Sequence, residues 1–378
     1  MNGAGVPAPR FGSSEREREL FDRSEAVAAA HPRPAGRAFD GAELRDIFRE
    51  LAPSGYLAST LPQQAGGKAL SGLEFAALCE GLAPGLTLLG NHSVQRYLHR
   101  FGSAEQQARL LPALLEGEGV GAIAMTETEA GSDLARMTTT ARRVGSAWVL
   151  DGEKTWVTHG LVATLIVVLA RTERGLTRFL VSGDAAGLGR QALEPRGLGH
   201  LGFGKLTFTG CELPADAILA GEGEGLSGAK AAFPIARVLA GLQALRIARA
   251  ALDIAGEYAD GRVVAGVALA SSTLVRHAFA RLWARHEAVR LLCLRVADDL
   301  QGSDAVALAS SAKALAGELA LEACRWTEDL LGAASLHASH PLAALAADAR
   351  MMAVVDGTSV LNHLVTARRL LPTDRSRS

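Results

Sequence analysis

Residues 121–160 read GAIAMTETEAGSDLARMTTTARRVGSAWVLDGEKTWVTHG. From Met125 to Asp133 the residues are small, hydroxylated or acidic, with Gly131 near the end. Such a run has little to bury and many hydrogen-bonding groups, which fits a loop whose backbone approaches a ligand closely. A period of two follows, with Thr138, Thr140 and Arg142 on one face and Trp148-Val149-Leu150 ahead of Asp151-Gly152. The Asp-Gly pair between two such runs predicts a hairpin turn, and the partner strand starts at Lys154. A polar loop feeding a hairpin, with Trp156 between Thr155 and Thr158, suits a flat heteroaromatic ligand.

On the N-terminal side the pattern is helical from Ser13 to about 120. Apolar residues at spacings of three and four predict helices over 39–51 and 73–82, separated by a Pro/Gly-rich loop at 52–72. Residues 92–121 predict two more, the second opening at Ser103 with Gln106 three residues on, a capping-box pattern. His92 and His99 have no carboxylate partner at ligand spacing and read as structural or substrate-proximal side chains. Beyond the opening stretch, β-type runs cover 162–170, 177–182 and 204–208. The closely spaced Gly221, Gly223 and Gly225 lack both GxGxxG and a Walker lysine, so no phosphate loop is read there. Amphipathic helices then fill 229–260, 271–301, 303–333 and 341–371 and pack as a bundle. The fold class is α+β, mostly α. The expected division is a disordered tail at 1–12, a helical domain at 13–122, a central β-domain at 123–225, a helical bundle at 226–372 and a tail at 373–378.

The length, 378 residues, is large for one hydrophobic core and agrees with several packed units. A formal charge of −1 without a basic stripe argues against a nucleic-acid partner. Cys79, Cys211, Cys293 and Cys324 are scattered, with no CxxC or Cys/His cluster, so neither a zinc site nor a disulfide framework is expected. No apolar run of membrane-spanning length and no signal-peptide pattern is seen, and a cytoplasmic location is expected. Abundant Ala, Gly and Arg, with lysine only at 68, 154, 205, 230 and 313, read as a GC-rich bacterial coding sequence.

At TETEAGSD (126–133) and GEKTWVTHG (152–160) the chain resembles the acyl-CoA dehydrogenase family. That family shows TEP.AGSD followed by a Gly-Lys-x-Trp-Ile-Thr-Asn strand. Further text agrees: Phe101-Gly102 before Gln106 and a Leu-Pro helix, and LAADARMMAVVDGTSVLNHLVTARRLL at 345–371, which matches the family's RDAK…YEGT…AR segment without a gap. The resemblance spans roughly 15–372. It implies an N-terminal α-domain, a central β-domain of sheet or barrel-like form and a C-terminal four-helix bundle, with FAD as cofactor.

The resemblance also implies roles for single residues. Asp356 stands where the family has its catalytic glutamate, which takes the α-proton of an acyl thioester while flavin N5 takes hydride from the β-carbon. The carboxylate keeps that chemistry open, but a side chain one methylene shorter shifts the base by about 1 Å, enough for about 100-fold in rate. Members with the base on the earlier helix place it one residue before the arginine, and Ala236 stands there beside Arg237. A plain structural role for Asp356, capping a helix that starts at Gly357, is the competing reading. Met125, Thr126 and Ser132 match the loop that touches the flavin and its pyrophosphate, Trp156 and Thr158 the pair over the isoalloxazine ring, and Thr358 a pyrophosphate contact. Ser132 and Arg237 match contacts to the CoA portion of the substrate; for Arg237 a solvated helix charge is the alternative.

Arg262 matches an FAD contact that the family supplies from a neighbouring subunit. Around it the chain departs: Ala265 replaces Phe, Thr273 replaces Gln, Asp329 and Ala333 stand in the Q-x-x-G-G stretch, and Ala347 replaces the Arg beside Asp348. Thr128 and His159 replace the family's Pro and Asn. The leading reading is α,β-dehydrogenation of an acyl thioester on CoA or on a carrier protein, the latter a substrate of family members in secondary metabolism. Electrons would pass to a flavoprotein or oxygen, and the chain would form a homodimer or homotetramer. A nitroalkane-oxidase-like reaction is one alternative, although that enzyme pairs its Asp with an arginine seven residues on, where His363 stands. A flavin-poor homologue, binding partners or acting without redox chemistry, is the other.

Overall fold

The computed structural model describes residues 14–371 apart from 55, 58, 132 and 228, so the two expected tails and Ser132 lie outside the described residues. Five helices open the chain: α1 (Glu15–Ala30), α2 (Gly41–Leu51), α3 (Gly72–Leu82), α4 (Leu89–Phe101) and α5 (Ala104–Leu115). Side chains at their starts satisfy backbone N–H groups that have no partner within the helix. Asp40 with Glu43, Ser71 with Glu74 and Ser103 with Gln106 each form a reciprocal capping box, the last as the sequence predicts. Leu44, Ile47, Phe48, Leu51, Leu78 and Leu82 bury the apolar faces.

Eight strands follow: β1 (Gly121–Ala124), β2 (Thr140–Val144), β3 (Ala147–Val157), β4 (Leu165–Thr172), β5 (Gly175–Ser182), β6 (Leu188–Ala192), β7 (Gly204–Leu213) and β8 (Ile218–Leu219). They form one sheet in the order β6-β7-β3-β2-β4-β5-β8, with β1 parallel to β4. The hairpin turn is not at Asp151-Gly152. It lies at Gly145-Ser146, because Val144 pairs with Ala147 and Gly145 takes φ +59°. A two-residue turn with glycine first at positive φ matches the twist of the strands it joins. Gly152 sits inside β3 at φ +137°, where the register against β7 slips, and a Cβ there would come within 2.6 Å of Thr139 Cα. Its glycine serves close approach in a bulge.

The last third holds α6 (Ala229–Gly261), a small hairpin of β9 (Val263–Val264) and β10 (Val267–Ala268), then α7 (Thr273–Asp298), α8 (Ala305–Leu331), α9 (Pro341–Met352) and α10 (Ser359–Leu370). The single helix expected over 341–371 is two. The chain leaves α9 and turns at Asp356 (φ +53°) and Gly357 (φ +94°), outside the right-handed helical region. Thr358, not Asp356, caps α10 by accepting from Leu361 N at 3.2 Å. The overall architecture is the expected one: helices, a central sheet, then a helical bundle.

Buried polar contacts fasten these parts. Arg290 on α7 donates twice to Glu80 on α3, at 2.7 and 2.9 Å, with both side chains buried. Asp348 on α9 accepts from Leu198 N at 2.6 Å and from Arg33. The family's arginine is missing at Ala347, and its charge is supplied from the N-terminal region. No helix among the described residues is long and apolar enough to cross a membrane, and no group of three or more His, Cys, Asp or Glu there could hold a metal ion.

Candidate active site

One wall of the site is the end of β3. Here Trp156 takes φ +58°, inside a second irregularity where the register slips between Lys154 and Val157. A bulky residue at positive φ is costly and persists only where its surroundings impose it. Thr155 N donates to Thr126 O at 2.8 Å, Val157 pairs with Gly204, and His159 N donates to Leu201 O at 3.0 Å. Pinned on both sides, the Trp156 ring meets Phe203 edge-on at 5.9 Å and remains 49% exposed. Half-buried Met125, Thr126 and Thr158 belong to the same pinned backbone. His159 is buried against Phe48, and burial pushes its imidazole down to about 4, so it is neutral.

A buried ion pair shapes the loop. Lys154 Nζ donates to Glu127 Oε1 at 2.8 Å and to Met125 O at 3.1 Å, while Glu127 also accepts from Thr138 N, Thr138 Oγ1 and Thr139 N at 2.7–3.0 Å. Burial alone raises the Glu127 carboxyl, but hydrogen bonds from Lys154, Thr139 and Thr138 outweigh it and hold it at about 2. For Lys154 burial wins and lowers the ammonium despite Glu127. Both shifts are downward, which favours the charged form of Glu127 but not that of Lys154, because Glu127 has three further donors. The pair is therefore a positioning device whose rupture would strand a buried charge. Sequence reasoning did not single out either residue, because nothing in their spacing shows that they touch. Thr128, at the family's proline position, donates to Glu153 Oε1 at 2.9 Å.

Asp356 lies in the helical part, just beyond the end of α9. As a residue it is exposed, although protein packs closely around its carboxyl group. The cleft it lines is narrow, with a volume of about 40 Å³, and is otherwise mainly apolar, with Leu82, Leu86, Leu89, Leu239 and Met352 beside Asp356. Burial pushes the Asp356 carboxyl up, while Lys313 and Arg237 pull it down. No ion pair within 4.0 Å engages this carboxylate among the described residues. Arg237 is buried, not a solvated helix charge: Nη1 donates to Ser310 Oγ at 3.0 Å and the guanidinium lies 5.3 Å from the Phe233 ring centre. Lys313, which sequence reasoning passed over, is 1% exposed. A larger hollow of about 480 Å³ between α5 and the sheet, bordered by Arg109, Leu110, Leu180 and Pro214, lies apart from this chemistry.

Thr358 stands exposed at the start of α10. His363 turns to the surface and meets Glu318 at 3.0 Å. Arg262 is not brought to the others: it lies 25 residues beyond Arg237, past the far end of α6, roughly 37 Å at 1.5 Å per residue. Ala265, Thr273, Asp329 and Ala333 are likewise exposed.

Family models match the chain in order: Acyl-CoA dehydrogenase, N-terminal domain at 14–118, middle domain at 122–211 and C-terminal domain at 223–371. The short-chain specific acyl-CoA dehydrogenase of Homo sapiens mitochondria is 31% identical over 373 residues, which cover 95% of this chain and 88% of that one. This chain belongs to the acyl-CoA dehydrogenase family. Benzylmalonyl-CoA dehydrogenase of Aromatoleum aromaticum is 32% identical, covering 95% of this chain and 99% of the other. A glutaryl-CoA dehydrogenase of Mycobacterium smegmatis, in a complex with FADH2, shares the fold with a TM-score of 0.84 at 23% identity, covering 97% of each chain. As an acyl-CoA dehydrogenase family member the chain is an FAD-dependent oxidoreductase.

Proposed function

We propose that this acyl-CoA dehydrogenase family member desaturates a short acyl thioester between its α- and β-carbons, with Asp356 as the base. What carries the reading is Asp356 itself: it lines an apolar cleft and makes no ion pair within 4.0 Å among the described residues. An upward-shifted carboxylate is a stronger base than an ordinary one, and the flanking cations Lys313 and Arg237 oppose that shift. The substrate's α C–H bond breaks, its proton goes to Asp356, and the electron pair becomes part of the new Cα–Cβ double bond.

The residues present fit a flavin. A flat indole, held half-exposed by a strained backbone, stands with the neutral hydroxyls of Thr126 and Thr158 and the Met125 loop; that suits a planar uncharged ring system. FAD, when bound, supplies the acceptor for the β-hydride. Thr358 at the start of α10 is suited to the pyrophosphate, since helix N-termini favour anions. Ser132 is assigned on the motif alone. Arg237 orients the thioester end of the substrate. Arg262 serves the site only from a second copy of the chain, which supports a homodimer or homotetramer. The carrier is CoA or an acyl carrier protein, and the electrons pass on to a flavoprotein or oxygen.

Asp356→Asn keeps size and hydrogen bonding but removes the base. We expect it to retain FAD and to lose α-proton exchange of bound acyl-CoA in deuterated buffer. Exchange at the wild-type rate would move the base elsewhere.

A further inference from the structure

The break between α9 and α10 is held from below by two buried side chains. Lys313 Nζ donates to Gly357 O at 2.5 Å. Asn362 Nδ2 lies 2.8 Å from the same oxygen, 3.3 Å from Asp356 O and 3.2 Å from Thr358 O. Asn362 is fully buried, and α8 runs so close beneath the break that a Cβ on Gly317 would stand 3.1 Å from Ala353 Cα. Lys313 sits in a buried stretch of α8 made up mainly of alanine, with Ala309, Ala312, Ala314 and Ala316 beside Ser310. A lysine in such a place costs desolvation that alanine would avoid, so it marks a requirement of the neighbouring group. Asp356 and Gly357 both stand at positive φ, a conformation that an L residue at 356 does not hold unaided.

Resting on the reading of Asp356 as base, we propose that Lys313 is a positioning residue: through the Gly357 carbonyl it fixes the turn that presents Asp356 to the cleft, with Asn362 as the neutral half of the clamp. The charged and titratable groups around the turn are few. Lys313 faces it from α8 and Arg237 from α6. Cys79 of α3 lines the same cleft with a thiol that burial pushes far up and so keeps neutral. The His363–Glu318 pair between α10 and α8 is on the surface. Burial, and then Arg237, lower Lys313 to about 8, while Asp356 works against them. Lys313 is thus cationic near neutrality and loses its charge on the alkaline side.

The test uses the full FAD-loaded chain with a short acyl-CoA. In Lys313→Met we expect FAD content to hold, kcat to fall about 10- to 100-fold, as misplacement of about 1 Å does, and KM to change far less. The acidic limb of the kcat/KM profile should move to higher pH, because one of the two cations opposing protonation of Asp356 is gone. Asn362→Leu should lower kcat without moving that limb. Lys313→Arg should keep the acidic limb and push the alkaline limb, expected near pH 8, upward. Lys313→Met with an unchanged acidic limb and kcat overturns the proposal. Should that variant not fold, an unmoved alkaline limb in Lys313→Arg does the same. If Asp356→Asn still exchanges α-protons, the base reading fails first; if it is inactive while both Lys313 variants match wild type, only the positioning role fails.

Discussion

Trp156 and Asp356 both have backbones in the left-handed region, and each is flanked by hydrogen bonds that pin the neighbouring chain. Strain of this kind costs about 1–3 kcal/mol per residue and gathers where a side chain must be presented against its preference. The Glu127–Lys154 pair does this for the loop before Trp156. We predict that Glu127→Gln lowers stability by about 3–5 kcal/mol, since it leaves Lys154 buried without its anion; a denaturant titration measures this. The pH dependence has a definite sign. Glu127 is held at about 2, below the ordinary 4.5, so its contribution is complete above 4.5 and is lost as pH falls from about 4.5 to about 2. The variant's stability should lack that slope. Asp356 and Trp156 were legible in the sequence because a family motif surrounds each. Lys313 was not: it lies 43 residues before Asp356 in an alanine-rich helix, and no local pattern ties it to a carbonyl on another element.

At the scale of elements, the start of α5 was legible because Ser103 and Gln106 form a capping box there. Two features were not. The Asp151-Gly152 pair has the composition of a turn, but Gly145-Ser146 closes the hairpin and Gly152 answers to a neighbouring backbone, which composition does not show. The break at 353–358 is hidden because apolar residues continue at helical spacing on both sides of Asp356-Gly357. The contact between β-domain and bundle also depends on a glycine. A Cβ on Gly197 would fall 2.4 Å from the Ala347 carbonyl carbon and 2.6 Å from Asp348 N, beside the Leu198–Asp348 hydrogen bond. Gly197→Ala should therefore cost about 1–3 kcal/mol, as overpacking does, and lower the thermal midpoint. An unchanged midpoint would mean that the two elements are free to part.

The whole molecule brings distant segments together at one cleft: α3 and α4 form its apolar side, α6 brings Arg237, α8 brings Lys313, and the α9–α10 break brings Asp356. The order of helical, stranded and helical parts was legible because each keeps its own period over many turns or strands. Assembly was not, because the departures at Ala265, Thr273, Asp329 and Ala333 are all on the surface of one chain. The length of α6 keeps Arg262 roughly 37 Å from Arg237 along the helix. The central claim is that this chain, with FAD, oxidises an acyl thioester. Its most direct test is the visible spectrum of the purified protein during anaerobic addition of short acyl-CoA thioesters. The account predicts flavin absorption that bleaches with at least one of them. A colourless protein that takes up no added FAD, or bound FAD that none of them bleaches, would contradict it.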